Sequence, residues 1–263
     1  MKFSIVVTTF NRAELTKNCV GNSIINAGRP FELVWVDNAS TDNVRDVMKR
    51  FAPTISILRE TNGGMAVSTN DAWKVATGDY IIGIASDFLM PENWLLTIEH
   101  YLERIPETDV ILMAWKDFDH HKWQGKEKVI NGLKVEIANK MMGVVCFSRK
   151  IFDKVGYLDE RLGWYGSTDT DWSNRVKRVG KLFYYIPDVR VIHYWNVGTS
   201  KDYPSDRAFK DKACEMNPKI LAKKYKVDNS IYYTPFNKDG TRKKEKSFAP
   251  KALQHYENSS VRP

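Results

Sequence analysis

Short runs of apolar and β-branched residues recur through the first 115 positions, at residues 3–9, 31–37, 55–58, 79–85 and 109–115. None of them alternates apolar with polar side chains, so each reads as a strand covered on both faces rather than one facing water. The segments between them carry helix signals. Asn11 is placed to cap a helix running from Arg12 to about residue 26, Thr41 or Asp42 one that reaches Phe51, and residues 65–76 form a helix stopped by Gly78. Strand and helix thus alternate as βαβαβαβ, which predicts an α/β fold: a Rossmann-like, mostly parallel sheet flanked by helices, with right-handed crossovers. Ligands of such sheets bind beyond the carboxyl ends of the strands, and Thr8, Thr9, Asp37, Ser86 and Asp87 all fall there.

The pattern changes at residue 116. Residues 116–140 turn polar and predict a loop and a hairpin with its turn at Asn131-Gly132, a candidate lid or acceptor-side excursion. A strand at 142–148, a helix at 149–155, a glycine-rich loop, a helix near 170–179 and two strands, 182–186 and 189–195, complete a second half. Beyond Gly198 the hydrophobic density falls. The remainder predicts one or two short helices interrupted at Asn217-Pro218 and a stretch of low order at 238–247, so a loose boundary near residue 200 separates residues 1–200 from a partly helical extension, 201–263.

Composition adds limits. With 263 residues, 43% hydrophobic and 27% charged, the chain is that of a globular protein, not a disordered one. No apolar run approaches the roughly 18 residues that cross a bilayer, and the first segment meets polar residues too early for a signal peptide, so a soluble, cytoplasmic protein is expected. Three cysteines, Cys19, Cys146 and Cys214, fit neither a disulfide framework nor a metal knuckle. The net charge of +8 is uneven: residues 1–200 hold 25 basic and 24 acidic residues, residues 201–263 hold 15 and 8. The basic extension is either a solvated surface or a landing site for a polyanion, such as nucleic acid or an anionic membrane.

Dinucleotide, P-loop, zincin and hydrolase-elbow motifs are all missing, so those chemistries have no support. What remains is a set of acids and one histidine at strand ends. Asp87, leaving the strand at 79–85, is placed to hold a hard divalent cation or to cap the helix that follows. Asp169 and Asp171 precede a helix containing Arg175; they either complement its dipole or leave Asp169 as a general base beneath the loop 163–167. His193, at the end of the last strand, is either a satisfied structural residue or a metal ligand. No cysteine lies near either acidic motif in the sequence. His120 and His121, beside Asp117 and Asp119, form a competing cluster within the polar excursion.

In order and spacing, the segments SIVVTTFNR, VWVDNASTD, ETNGGMAVSTNDAWKVATGDYI, SDFLMPENWL, GYLDE, TDTDWSNRVKRVG and VIHYW resemble those of a family 2 glycosyltransferase with the GT-A fold. The resemblance covers about residues 3–196. It implies an inverting, metal-dependent transferase that moves a sugar from a nucleotide-diphosphate donor, a UDP-sugar being expected, to an acceptor hydroxyl with Mn²⁺ or Mg²⁺ bound. It assigns Thr8, Thr9, Asn11 and Arg12 to the nucleotide pocket, Asp37 to the acid facing the base, and Asn62, Gly63 and Gly64 to the loop under the nucleoside. Where the family reads Asp-x-Asp, this chain reads Ala85-Ser86-Asp87, so Ser86 lies beside the donor and Asp87 matches the metal-binding acid. Where it reads Glu-Asp, this chain reads Thr168-Asp169, and Asp169 matches the catalytic base. His193 matches the histidine that completes the metal shell.

Trp164, Tyr165, Asp171, Trp172 and Trp195 are expected on the acceptor and sugar side, Tyr194 being another stacking candidate; core packing is the alternative for the aromatics. The expected acceptor is a glycan, a lipid-linked molecule or a protein. A hydroxymethylated base in DNA, flipped from the duplex, is the alternative that the basic extension would serve. A degenerate domain that only binds nucleotide or glycan is the third reading, prompted by the two substituted motif acids.

Overall fold

The computed structural model describes residues 1–105, 110–115, 126–138, 140–141, 143–163, 166–193 and 204–249. The predicted α/β architecture is present. β1 (Phe3–Thr9), β2 (Glu32–Asp37), β3 (Ile55–Leu58) and β4 (Tyr80–Ile84) form a parallel block in the order β3-β2-β1-β4. Helices α1 (Ala13–Ile25), α2 (Val44–Lys49) and α3 (Met65–Val75) connect them. The chain moves outward from β1 to β2 and β3, then returns to β4 on the other side of β1. The crevice between β1 and β4 is therefore the switch point at which an open α/β sheet binds its ligands.

Five further strands continue the sheet. β9 (Val145–Ser148) lies antiparallel between β4 and β6 (Val110–Trp115), and β10 (Phe183–His193) runs parallel to β6. β7 (Glu127–Ile130) and β8 (Leu133–Ala138) form a hairpin that extends the far edge through β8 and β10. Its turn, Asn131-Gly132, has positive φ at both residues (48° and 81°), as the sequence predicts for a two-residue hairpin turn. The short β5 (Phe88–Leu89) pairs with the end of β10. Two strands were expected across 182–195; one is found, with a register shift between Ile186 and Arg190. Pro187 lies in that shift, where its missing N–H interrupts the ladder without ending the strand.

Continuous apolar strands follow from two covered faces. Phe3, Ile5 and Val7 of β1 join a core with Trp35, Met48, Trp94 and Ile98, whereas Val6 points to the other side with Val36, Trp73, Phe147 and Trp172. α4 (Trp94–Arg104) lies on the first face, and α3, α5 (Ile151–Val155) and α6 (Thr168–Arg178) on the second.

The segment after residue 200 differs from its sequence reading in two respects. α7 (Pro204–Val227) is a single helix with Pro218 inside it, not two helices broken there. Residues 235–243 are held in a turn, with Asn237 N–H on the Thr241 carbonyl (2.8 Å) and Lys243 N–H on the Pro235 carbonyl (2.8 Å). The segment also packs into the preceding residues. Tyr157 N–H donates to the Tyr233 carbonyl (2.8 Å), Tyr233 N–H donates to the Val155 carbonyl (3.2 Å), and Arg242 pairs with Asp71 and Glu160.

Candidate active site

Three adjacent strand ends build the left half of the crevice. Asn38 organises it: its N–H continues the ladder to the Thr9 carbonyl (2.8 Å), its amide nitrogen donates to Asn62 Oδ1 (2.6 Å), and its Oδ1 accepts from Gly63 N–H (3.0 Å). Asn62 Oδ1 also accepts from Gly64 N–H (2.9 Å), which fixes the loop entering α3. Asn62, Gly63 and Gly64 are thus tied to Asn38, directly after β2. Sequence reasoning missed Asn38; its signal was its place directly after Asp37 at a strand end.

The loops after β1 and β2 are laced together. Asn11 N–H donates to Ser40 Oγ (2.8 Å), and Asn11 Oδ1 accepts from Thr41 N–H (2.8 Å). Asn11 is therefore not the cap of α1. That position falls to Arg12, while the carboxylate of Asp42, from the neighbouring loop, accepts from Ala13 N–H (2.9 Å). Asn11 and Arg12 both carry positive φ (56° and 67°), a backbone that non-glycine residues adopt only when the surroundings enforce it.

Two residues expected to touch the nucleotide are engaged elsewhere. Thr9 is buried and its hydroxyl accepts from Trp35 Nε1 (2.9 Å), so it supports the core rather than the pocket; Thr8, half-buried beside it, remains available. Asp37 is buried, with Arg45 Nε on Oδ2 at 2.6 Å and Ser40 N–H at 3.3 Å. A ligand reaches that carboxylate directly only if Arg45 swings away.

On the right of the crevice, Ser86 and Asp87 form the turn between β4 and β5. Antiparallel pairing sets Phe88 opposite His193, their rings stack at 4.4 Å, and His193 Nε2 comes within 3.4 Å of Asp87 Oδ2. The buried Asp87 Oδ1 has no hydrogen-bond partner among the described residues. An imidazole and a carboxylate with an unsatisfied oxygen are a suitable pair of donors for Mn²⁺ or Mg²⁺. Among the described residues no group of three or more His, Cys, Asp or Glu could hold an ion. The fold also brings a cysteine to this corner: the Cys19 thiol on α1 is pushed up to about 12, first by burial and then by the charge of Asp87. It is an inert, protonated neighbour.

Asp169 lies in the first turn of α6, half-buried, and makes no hydrogen bond or ion pair with another described residue. Asp171 and Trp172 do not belong to the acceptor side. Asp171 is fully buried between Arg175 Nε (2.8 Å) and the ammonium of Lys224, and Trp172 is fully buried against Trp73 and Phe147 with Nε1 on the Gly156 carbonyl (3.1 Å). A helix turns successive side chains by about 100°, so Asp171 and Trp172 face inward while Asp169 does not. Trp164, Tyr165, Tyr194, Trp195, Asp117, Asp119, His120 and His121 lie outside the described residues.

An open α/β sheet with an acid, a histidine and a pinned asparagine-glycine loop at its switch point is a candidate ligand-binding crevice. The family model for glycosyl transferase family 2 matches residues 4–157, more than half of the chain, and the chain belongs to that family. A poly(ribitol-phosphate) beta-glucosyltransferase of Bacillus spizizenii is 31% identical over 140 residues, 50% of this chain and 20% of that protein. The glycosyltransferase GlyG of Streptococcus pneumoniae is 26% identical over 160 residues, 57% of this chain and 53% of its own length. The chain thus matches little more than half of either relative at most.

Among solved structures, the mannosyltransferase PcManGT of Pyrobaculum calidifontis, in complex with GDP-Man and Mn²⁺, superposes with a TM-score of 0.63 at 20% identity, covering 85% of this chain and 69% of that one. S. aureus TarS gives 0.60 at 17% identity, covering 87% and 44%. The fold is GT-A. No helix among the described residues is long and apolar enough to cross a membrane.

Proposed function

We propose that this glycosyltransferase moves a sugar, with inversion, from a nucleotide-diphosphate donor to a hydroxyl of a glycan, a lipid-linked acceptor or a protein. The observation that carries the reading is Asp169: a partly exposed carboxylate in the first turn of α6, uncommitted to any described residue. As the acceptor oxygen attacks the anomeric carbon, its hydroxyl proton passes to Asp169, and the bond to the diphosphate breaks on the opposite face.

Asp87 and His193 would hold the cation, Mn²⁺ or Mg²⁺, and Ser86 lies beside them. A cation bound there would neutralise charge on the departing diphosphate. Thr8, Arg12, Asn62, Gly63 and Gly64 frame the nucleotide, and Asp37 meets the base once Arg45 moves. A UDP-sugar is the proposed donor; TarS in complex with UDP and with UDP-GlcNAc supports it, and the GDP-Man complex of PcManGT names the competitor. DNA as acceptor loses part of its argument, because Lys224 and Arg242 of the basic segment are consumed in internal ion pairs.

The test pairs turnover with donor binding. Asp169→Asn keeps the shape and removes the proton acceptor, so transfer should fall by about 10²-fold or more. Binding of UDP-sugars, read as a Mn²⁺-dependent rise in melting temperature, should match wild type. Retention of more than about a tenth of wild-type turnover would exclude Asp169 as the base.

A further inference from the structure

We propose that α7 is a splint for the catalytic turn, with Lys224 as its positioning residue; the inference rests on Asp169 being the base. The turn that delivers Asp169 is an unusual one. Gly166 takes positive φ (72°) freely, but at Ser167 (61°) the same region is disfavoured, so the entry into α6 is a backbone held in place there rather than one the chain prefers. Ser167 Oγ and Thr168 Oγ1 are buried and lack hydrogen-bond partners among the described residues, so the local bonds of the turn are main-chain ones, Thr168 N–H on the Gly166 carbonyl (2.7 Å) and Asp171 N–H on the Ser167 carbonyl (2.8 Å), with no side-chain bond added.

α7 supplies what is missing, at two points. Asn217 fills the space where a Cβ on residue 166 would sit, closing the turn from one side of Asp169. Seven residues further along α7, Lys224 donates to Asp171 on the other side, and Tyr225 Oη donates to the same carboxylate oxygen (3.1 Å). A spacing of seven returns to one face of a helix after about two turns, roughly 10 Å of rise, so a single helix face reaches residues 166 and 171, which flank Asp169 in the chain.

The grip of Lys224 is tight. Its side chain is 1% exposed, and Nζ lies 3.1 Å from Asp159 Oδ2 as well as against Asp171. Arg175 ties the same Asp171 to the Val155 and Tyr157 carbonyls, and Arg161 holds Asp159 through 2.6 and 2.8 Å bonds. Lys224 is thus the group that joins α7 both to α6 and to the 3₁₀ turn Glu160–Leu162 preceding the catalytic loop. Nothing in this cluster needs to touch substrate. Its effect is on where the Asp169 carboxylate stands.

Lys224→Met in the full-length protein tests this, because it keeps the length and burial of the stem and removes the charge. Turnover should fall by about tenfold or more, since a displacement of roughly 1 Å at a general base has consequences of that order, while the donor Kd stays within about twofold of wild type. A purely structural role would lower the melting temperature and leave kcat of the folded protein unchanged, and that result overturns the proposal. If Lys224→Met does not fold, Tyr225→Phe decides: it removes one bond to Asp171, and kcat should fall by about threefold with donor Kd unchanged. Wild-type kcat in that variant overturns the proposal equally. Asp169→Asn is measured alongside. If it stays active, the base assignment fails; if it is inactive while the α7 variants turn over normally, only the splint fails.

Discussion

The proposed role of Asp87 rests on its neighbours. On the strand end alone it could be a helix cap, but β5 turns the chain back against β10 and sets its carboxylate 3.4 Å from His193 Nε2. No protein donor satisfies its Oδ1 among the described residues, and a buried carboxylate oxygen without a partner is costly unless a ligand supplies one. Asp87→Ala should abolish the Mn²⁺-dependent part of donor stabilisation. His193→Ala should weaken apparent metal affinity by about 10- to 100-fold without destroying the nucleotide pocket. Manganese titration followed by thermal shift, with and without UDP-sugar, measures both. An unchanged midpoint in either variant would remove that residue from the metal site.

At the scale of elements, the seam between α5 and the C-terminal segment invites a direct test. Gly156 stops α5 with φ of 68° and forms a bridge to Tyr233, and a Cβ at this position would overlap the Tyr233 carbonyl. Gly156→Ala therefore combines an unfavourable backbone with a steric clash against main chain. It should cost about 1–3 kcal/mol, seen as a lower denaturant midpoint in equilibrium unfolding. Stability within about 0.5 kcal/mol of wild type would mean that the seam yields freely.

Across the whole molecule, carboxylates hold distant parts of the chain together, and their titration predicts the response to acid. Burial alone would raise Glu32, but hydrogen bonds from Ser4 and Thr77 outweigh it and hold it below the ordinary range. Burial would likewise raise Asp159, yet Arg161 and Lys224 lower it; Asp228, despite some burial, falls to about 2 through Ser230 and Arg161. Glu160 moves the other way, because burial outweighs Arg242 and Asn70. A carboxylate with a lowered folded pKa contributes stability above its unfolded pKa and loses it as pH falls through the folded one. With Asp239, lowered through its hydrogen bonds from Thr241, four lowered groups against one raised predict a melting temperature that drops steeply between about pH 4 and pH 2. Asp228→Asn should make that drop shallower. An identical acid limb in the variant would show that Asp228 contributes nothing to it.

The amino-acid sequence alone determined the parallel block, because strands buried on both faces must be continuously apolar and the breaks between them carry helix signals. It also determined which strand ends bear acids, and the succession of motifs identified the family. It was silent wherever partners are far apart in the chain. Asn38 reads as one more polar loop residue until Thr9, Asn62 and Gly63 surround it. Cys19 looks remote from Asp87 until α1 packs beside β5. Asp171 and Trp172 look as available as Asp169, since only the direction of α6 against its neighbours decides which of them are buried. Lys224 reads as one more charge of a basic segment, and its burial beside Asp159 and Asp171 is a tertiary event with no local signature. Local patterning reports whether a side chain must be covered; which groups meet beneath that cover depends on how the elements pack.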